Sequence, residues 1–369
     1  MINASKLINE LKNIEVDFFS GVPDSLLSDF SKSLHFDFKN ENHIIATNEG
    51  SALGIGMGHN LATRKVPLIY MQNSGLGNFI NPYTSLLHRS VYKIPFVLLL
   101  GWRGEAGIPD EPQHNFQGKI TLELLELLEI NFIIIDSDST VSEIINKIKE
   151  FITKGEPIAI VVKKGTFEKD ERSFDALDYL PKRKDVLEKI VSKFSKEALF
   201  ISTTGKLSRE LYEIRKNSNE ECNDLYVVGG MGHASAISTG MLGKIKEKTL
   251  VCLDGDGSIL MHMGNLAILT NNNIKNFVHV IFNNSAHESV GGQPTIFSML
   301  DSKNLFLSLG YKKVIEIQNL DDIERLDISN IEYPALIQVN VQNTSDKNLM
   351  RPDKSPLENK FSFVKKINE

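Results

Sequence analysis

The run Gly255-Asp256-Gly257-Ser258 follows an apolar stretch, TLVCLD (249–254), and residues 258–282 separate Gly257 from the paired amides Asn283-Asn284. Glycines let a backbone approach an anion closely, and a helix that starts there turns its positive end toward it. Asp256 offers a carboxylate to a hard cation. Mg2+ takes near-octahedral oxygen ligands and commonly only one or two carboxylates beside substrate phosphates. The amide oxygen of Asn284 and the backbone carbonyl of Ala286 would complete the protein's share of such a site. The group is therefore expected to clamp a diphosphate, with Asp256, Asn284 and Ala286 on the metal and Gly257 and Ser258 near the phosphates. A Gly-Asp-Gly turn or an Asn-Asn pair alone is commonplace. The spacing gives them weight, because both ends fall at the carboxyl edge of adjacent strands, where open α/β sheets bind ligands.

A second group lies in the first third of the chain. Glu49 follows the stretch HIIA (43–46) and opens a glycine-rich helix, Glu49-Gly-Ser-Ala-Leu-Gly-Ile-Gly-Met-Gly. By itself it reads equally as a first-turn acid complementing the helix dipole. Asp24 and Ser25 stand in the turn after the first strand, where they could also cap a helix. Asn73 follows a later strand, and His114 lies beyond IPFVLLL (94–100), where a neutral imidazole could both accept and donate a proton. In the second half, Thr203, Thr204 and Gly205 follow ALFIS (198–202), and Gly229, Met231 and His233 stand at the end of LYVVG (225–229).

The elements that must position these residues are short apolar runs alternating with amphipathic stretches, the pattern of parallel strands joined by helices. Six such strands are expected before residue 165 and six after residue 185. Helices are expected over 24–35, 49–62, 120–129, 140–153 and 259–270. The charged, proline-containing segment 166–184 reads as a linker and 346–369 as a loose tail. The fold class is thus α/β, with two doubly wound parallel-sheet domains over 1–165 and 185–345 and no middle domain.

The 369 residues carry a net charge of −6, with 41% hydrophobic and 24% charged residues, so no basic footprint for nucleic acid is present. Cys222 and Cys252 cannot build a disulfide framework, no apolar run is long enough for a bilayer span, and the N-terminus lacks a basic region before an apolar core. A cytoplasmic protein without membrane or nucleic-acid partners is expected. Signatures of P-loop nucleotide hydrolases, Rossmann dehydrogenases, zinc proteases and α/β-hydrolases are absent.

The GDG-x25-NN spacing resembles the cofactor signature of thiamin diphosphate-dependent enzymes. That resemblance implies thiamin diphosphate and Mg2+ as cofactors. It makes Glu49 the acid that hydrogen-bonds the aminopyrimidine, Met231 the bulky side chain under the cofactor, and the Gly229 carbonyl a partner of its amino group. Thr204, Gly205, His233 and Asn73 become further cofactor contacts. The two-domain layout, with Gly21-Val-Pro-Asp-Ser-Leu-Leu27, Gln72-Asn-Ser-Gly-Leu-Gly-Asn78, Asp110-Glu-Pro-Gln-His114 and His287-Glu-Ser-Val-Gly-Gly-Gln-Pro-Thr295, resembles the phosphonopyruvate decarboxylase family. This implies decarboxylation of 3-phosphonopyruvate in phosphonate biosynthesis, with His114, Ser25 and Asp24 in catalytic positions beside Glu49 and a homo-oligomer whose active sites lie between subunits. The related sulfopyruvate decarboxylases are the alternative. A thiamin diphosphate-binding scaffold without turnover is a third reading, against which the presence of Glu49 stands. Arg103, Lys119, Lys206 and Arg209 are possible partners for the substrate's acid group, and none is singled out by sequence.

Overall fold

The computed structural model describes all residues except 39–41, 246, 272, 273 and 347. In the first half, the strands β1 (Phe19–Gly21), β2 (His43–Ile45), β3 (Leu68–Gln72), β4 (Val97–Gly101), β5 (Asn131–Ile135) and β6 (Ile158–Val162) form one parallel sheet in the order β2-β1-β3-β4-β6-β5. In the second half, β7 (Leu199–Ser202), β8 (Leu225–Tyr226), β9 (Leu250–Gly255), β10 (Phe277–Asn283), β11 (Lys313–Ile317) and β12 (Ala335–Asn340) form another, in the order β11-β12-β10-β9-β7-β8. Read from its other edge, the second order repeats the first, strand for strand. Each sheet therefore has a switch point between its first and third strands, and in such sheets the crevice outside the carboxyl ends is the ligand site.

Helices cover both faces of each sheet, which is why the central strands read as unbroken apolar runs. Along β4, Val97 and Leu99 enter one core while Leu98 and Leu100 enter the core on the opposite face. The helix Ala4–Asn13 closes the first of these through Leu7, Ile8 and Leu11, and Glu49–Thr63 closes the second through Ala52 and Leu53. The second sheet is flanked in the same way.

The chain separates into two compact units, Met1–Phe174 with Val290–Gln293, and Asp175–Ser289 with Pro294–Glu369. The first part of the segment expected as a linker is anchored, since Phe167 is buried in the first core and Arg172 pairs with Asp170 and Asp37. The C-terminal segment is not a loose tail. Ser355 caps a helix, Pro356–Asn368, whose Phe363 is buried in the second unit's core. Asn359 of that helix accepts from the Tyr226 amide and donates to the Asp224 carbonyl, completing the edge beside β8. The single helix expected over 259–270 is two, Asp256–Met261 and Gly264–Thr270, because His262 leaves helical geometry and Gly264 weakly favours it. The strand expected over 225–229 ends at Tyr226. Beyond it the Val227 amide donates to the Ser202 carbonyl and the Val228 carbonyl accepts from Thr204 Oγ1, so the chain turns toward the end of β7.

Candidate active site

In the first unit the carboxyl ends of β1, β3 and β4 gather several of the expected residues. Asp24 is only 1% exposed, and Gly101 at the end of β4 is required beside it, since a Cβ there would fall 2.0 Å from Asp24 Oδ2. The Leu26 amide donates to Oδ2, while Oδ1 has no hydrogen-bond partner among the described residues. Burial pushes the Asp24 carboxyl up to about 6, against the pull of the nearby Arg103 guanidinium. Arg103 donates Nη1 to Ser25 Oγ at 3.0 Å and Nε to Asp110 Oδ2 at 2.8 Å, and Nη2 bonds Asp110 Oδ1. Burial opposes it, yet the guanidinium and the amides of Gly104 and Glu111 hold the Asp110 carboxyl well below the usual range.

His114 lies in the first turn of the helix Pro112–Leu127 and is buried. Burial, reinforced by the charge of Arg103, lowers its pKa and keeps the imidazole neutral. Gln117 lies beside the ring, but neither Gln117 Oε1 nor His114 Nδ1 has a partner of good geometry among the described residues. Asn73 joins this cluster in a different role from the expected cofactor contact. Its amide donates to the Arg103 carbonyl at 2.8 Å and to Thr121 Oγ1 at 2.9 Å and accepts from the Arg103 amide at 3.1 Å. Both ends of the side chain are thereby spent on holding the loop after β4.

Glu49 begins its helix behind the cap Asn48 and is 6% exposed. Asn78 Nδ2 donates to Oε2 at 2.8 Å, and Oε1 lies against Gly75. A Cβ at Gly75 would lie 2.6 Å from Oε1, so a larger residue there would displace the carboxylate. Asn78 and Gly75 stand in the short helices after β3, and their partnership with Glu49 cannot be read from spacing.

In the second unit the loops after β7, β8 and β9 are tied together. Thr203 Oγ1 and Ser258 Oγ are 3.0 Å apart, and the Gly232 amide donates to Ser258 Oγ at 3.0 Å. Thr204 Oγ1 is used on the Val228 carbonyl, and Gly205 has φ +101 at the cap of the next helix. Gly229 lies in the same loop, and His233 is exposed with Nδ1 3.0 Å from the Gly230 carbonyl. Met231 reaches over the Gly-Asp-Gly turn, since a Cβ on Gly257 would lie 3.3 Å from Met231 Cε and 3.6 Å from the His287 ring. Asp256 is 2% exposed and accepts from Thr295 Oγ1 and from the amide of Asn284. Burial raises its carboxyl to about 6 against these bonds. Thr295, 39 residues on, lies in a segment quoted above without a role.

The Asn284 side chain is oriented by its neighbours. Nδ2 lies 3.4 Å from Glu288 Oε2, and Oδ1 accepts from the Ala286 amide at 3.2 Å. Glu288 in turn pairs with Arg183 Nη1 at 3.0 Å and Lys206 Nζ at 2.8 Å, so Lys206 is already committed. The residues present suit a diphosphate bound through a divalent cation: a buried carboxylate, an amide oxygen, a hydroxyl pair and a glycine whose missing side chain leaves room. A cleft of about 920 Å³ in the first unit lies elsewhere, at the amino ends of β4–β6 beside Lys93, Asn131 and Pro157, and holds none of these groups.

Comparison with known proteins agrees with both halves. Residues 3–125 match the family "Thiamine pyrophosphate enzyme, N-terminal TPP binding domain", and residues 203–328 match its "C-terminal TPP binding domain". A phosphonopyruvate decarboxylase of Streptomyces viridochromogenes is 31% identical over 97% of this chain and 93% of its own length. A sulfopyruvate decarboxylase of Methanosarcina acetivorans is 26% identical over 79% of this chain and 78% of its own. The beta subunit of the sulfopyruvate decarboxylase of Methanocaldococcus jannaschii is 39% identical over 31% of this chain and 58% of its own. The chain belongs to the thiamine pyrophosphate enzymes, as a decarboxylase of the phosphonopyruvate and sulfopyruvate type.

Proposed function

We propose that this chain, with thiamin diphosphate and Mg2+, decarboxylates 3-phosphonopyruvate to phosphonoacetaldehyde and CO2 as a step of phosphonate biosynthesis in the cytoplasm. The observation that carries the reading is a division of labour between two identical topologies. Asp24, Glu49 and His114, which handle protons, follow strands at the carboxyl edge of one sheet, and Asp256, Ser258 and Asn284, which suit a metal-bound diphosphate, follow strands at the carboxyl edge of the other. The similarity to a phosphonopyruvate decarboxylase along nearly the whole chain supports the phosphonate substrate over the sulfonate.

In the reaction the C1–C2 bond of the keto acid breaks, CO2 leaves, and C2 gains a proton. When bound, thiamin diphosphate supplies the electron sink for that bond cleavage. Asp256, the Asn284 amide oxygen and the Ala286 carbonyl would hold Mg2+, with Ser258, Thr203 and the Gly257 backbone near the phosphates. Glu49, gripped at Oε2 by Asn78, would be the acid that meets the pyrimidine ring of the bound cofactor. Asp24 keeps its proton to about pH 6 and His114 stays neutral, so one cluster contains both a donor and an acceptor. The reading includes a homo-oligomer, at least a dimer, with active sites between copies of the chain.

Release of CO2 and aldehyde from phosphonopyruvate, sulfopyruvate and pyruvate, measured side by side with both cofactors, tests the assignment. Phosphonopyruvate is expected to give the highest kcat/KM, and a preference for sulfopyruvate would replace the substrate while keeping the chemistry. Glu49→Gln should lower kcat by about 100-fold or more while cofactor still binds. Asp256→Ala should instead weaken thiamin diphosphate and Mg2+ binding in a calorimetric titration, and full activity in either variant would refute its role. Sedimentation should find a dimer or larger species carrying all activity, and an active monomer would disprove shared sites.

Burial raises the Asp24 carboxyl from 3.8 to about 6, so its folded form prefers the proton. Its contribution to stability is complete below about pH 4 and is lost as pH rises through about 6. Asp24→Asn should remove this slope and gain on the order of 3 kcal/mol relative to wild type above pH 6. Urea denaturation from about pH 4.5 to 8 measures it, and parallel curves for the two proteins would contradict the buried, raised carboxyl.

A further inference from the structure

The substrate class proposed above carries a second acid group at C3, and the following inference rests on that reading. Of the cations named above, Lys206 is bound to Glu288, Lys119 is exposed on its helix, and Arg209 is half-buried in the helix Lys206–Asn217 with an interaction of its own. Arg103 differs from these. Its side chain is 22% exposed at the end of β4, and its charge bears on both Asp24 and His114.

The guanidinium is fixed from one side. Nε and Nη2 bond Asp110, whose oxygens also accept the Gly104 and Glu111 amides, and Nη1 donates to Ser25 Oγ. Three of the five N–H hydrogens are thus engaged, and one remains on each of Nη1 and Nη2. Ser25 accepts from Arg103, so its own hydroxyl hydrogen is available to a second acceptor. A rigid fork with two donors left, flanked by a hydroxyl, suits a tetrahedral oxyanion.

The reacting carboxylate is the poorer occupant. A strong ion pair to the group that must leave as CO2 would stabilise the ground state and be lost in the transition state. An ion pair to the unreacting acid group persists through the reaction and can hold C2 in place. We propose that Arg103, steadied by Asp110 and accompanied by the Ser25 hydroxyl, is the subsite for the phosphonate or sulfonate at C3 of the 2-oxo acid.

The test compares wild type, Arg103→Lys and the charge-balanced pair Arg103→Gln/Asp110→Asn, which removes the ion pair as a whole and does not strand Asp110. Each is assayed with phosphonopyruvate, sulfopyruvate and pyruvate. In the double variant the ratio of kcat/KM for phosphonopyruvate to that for pyruvate should fall by about 50-fold, the loss of hydrogen bonds to a charged group. The lysine variant, which keeps the charge without the fork, should fall in between. An equal loss on all three substrates would reduce Arg103 to a structural brace, and an unchanged ratio would also overturn the subsite. The sulfopyruvate arm shows whether the fork distinguishes the two oxyanions. Calorimetric titration of phosphonoacetate, an unreactive phosphonate, separates this inference from the decarboxylase reading. Binding to wild type and about tenfold weaker binding to the double variant support the subsite even if no keto acid is turned over. Equal binding by both proteins would sink it whatever the activity.

Discussion

Desolvation of acids at strand ends is the constraint on which this structure turns. Asp24, Glu49 and Asp256 are each no more than 6% exposed, although burying a carboxylate is costly unless it is bonded or keeps its proton. Each case is resolved differently. Asp24 has one oxygen bonded and a raised pKa, Glu49 is gripped by an amide, and Asp256 is met by a hydroxyl and a backbone N–H. Glycines at 75 and 101 make the approach sterically possible for two of them. A fully satisfied carboxylate would be inert. An unpartnered oxygen, as on Asp24, and a raised pKa, as on Asp24 and Asp256, keep a carboxyl available to a proton.

The two sheets share one strand order but not one chemistry. In the first, the groups at the carboxyl edge are mostly ionisable side chains, brought in on loops of different length after three strands. In the second they are hydroxyls, glycines and amides around a short helix start, with the Asp256 carboxylate among them. A common backbone scaffold therefore brings each group of residues to a carboxyl edge, and the loops set its chemistry. The supports differ accordingly. Asn73 and Asp110 brace the first site by short-range bonds to the loop after β4, whereas Glu288, paired with Arg183 and Lys206, braces the Asn284 loop with charge.

The strands were legible because doubly covered parallel strands are nearly continuous apolar runs, and β4, β6 and β10 are buried along their whole length. The Gly-Asp-Gly turn and Glu49 were legible because backbone constraints at a helix start select a few residue types at fixed spacing. The helix Pro356–Asn368 was hidden by its charge. Its contact with the core rests on Phe363, Asn359 and the half-buried Ile367 among lysines and exposed apolar side chains, too irregular a stripe to stand out in a segment that begins with prolines.

What the sequence did not reveal is mainly pairing across distance. Asn78 with Glu49, Thr295 with Asp256 and Arg103 with Ser25 join residues 29, 39 and 78 positions apart, on loops whose meeting is decided by strand order. An arginine after a strand is by itself most often a solvated surface charge. Arg103 becomes distinctive only when Asp110 fills one edge of its fork and Ser25, in the turn after β1, takes another donor. That convergence depends on β1 and β4 both flanking β3, which follows from the order β2-β1-β3-β4 and from no local pattern. Chemistry that rests on one residue type at one turn is thus readable in the chain, whereas chemistry that rests on how a charge is partly neutralised must wait for the fold.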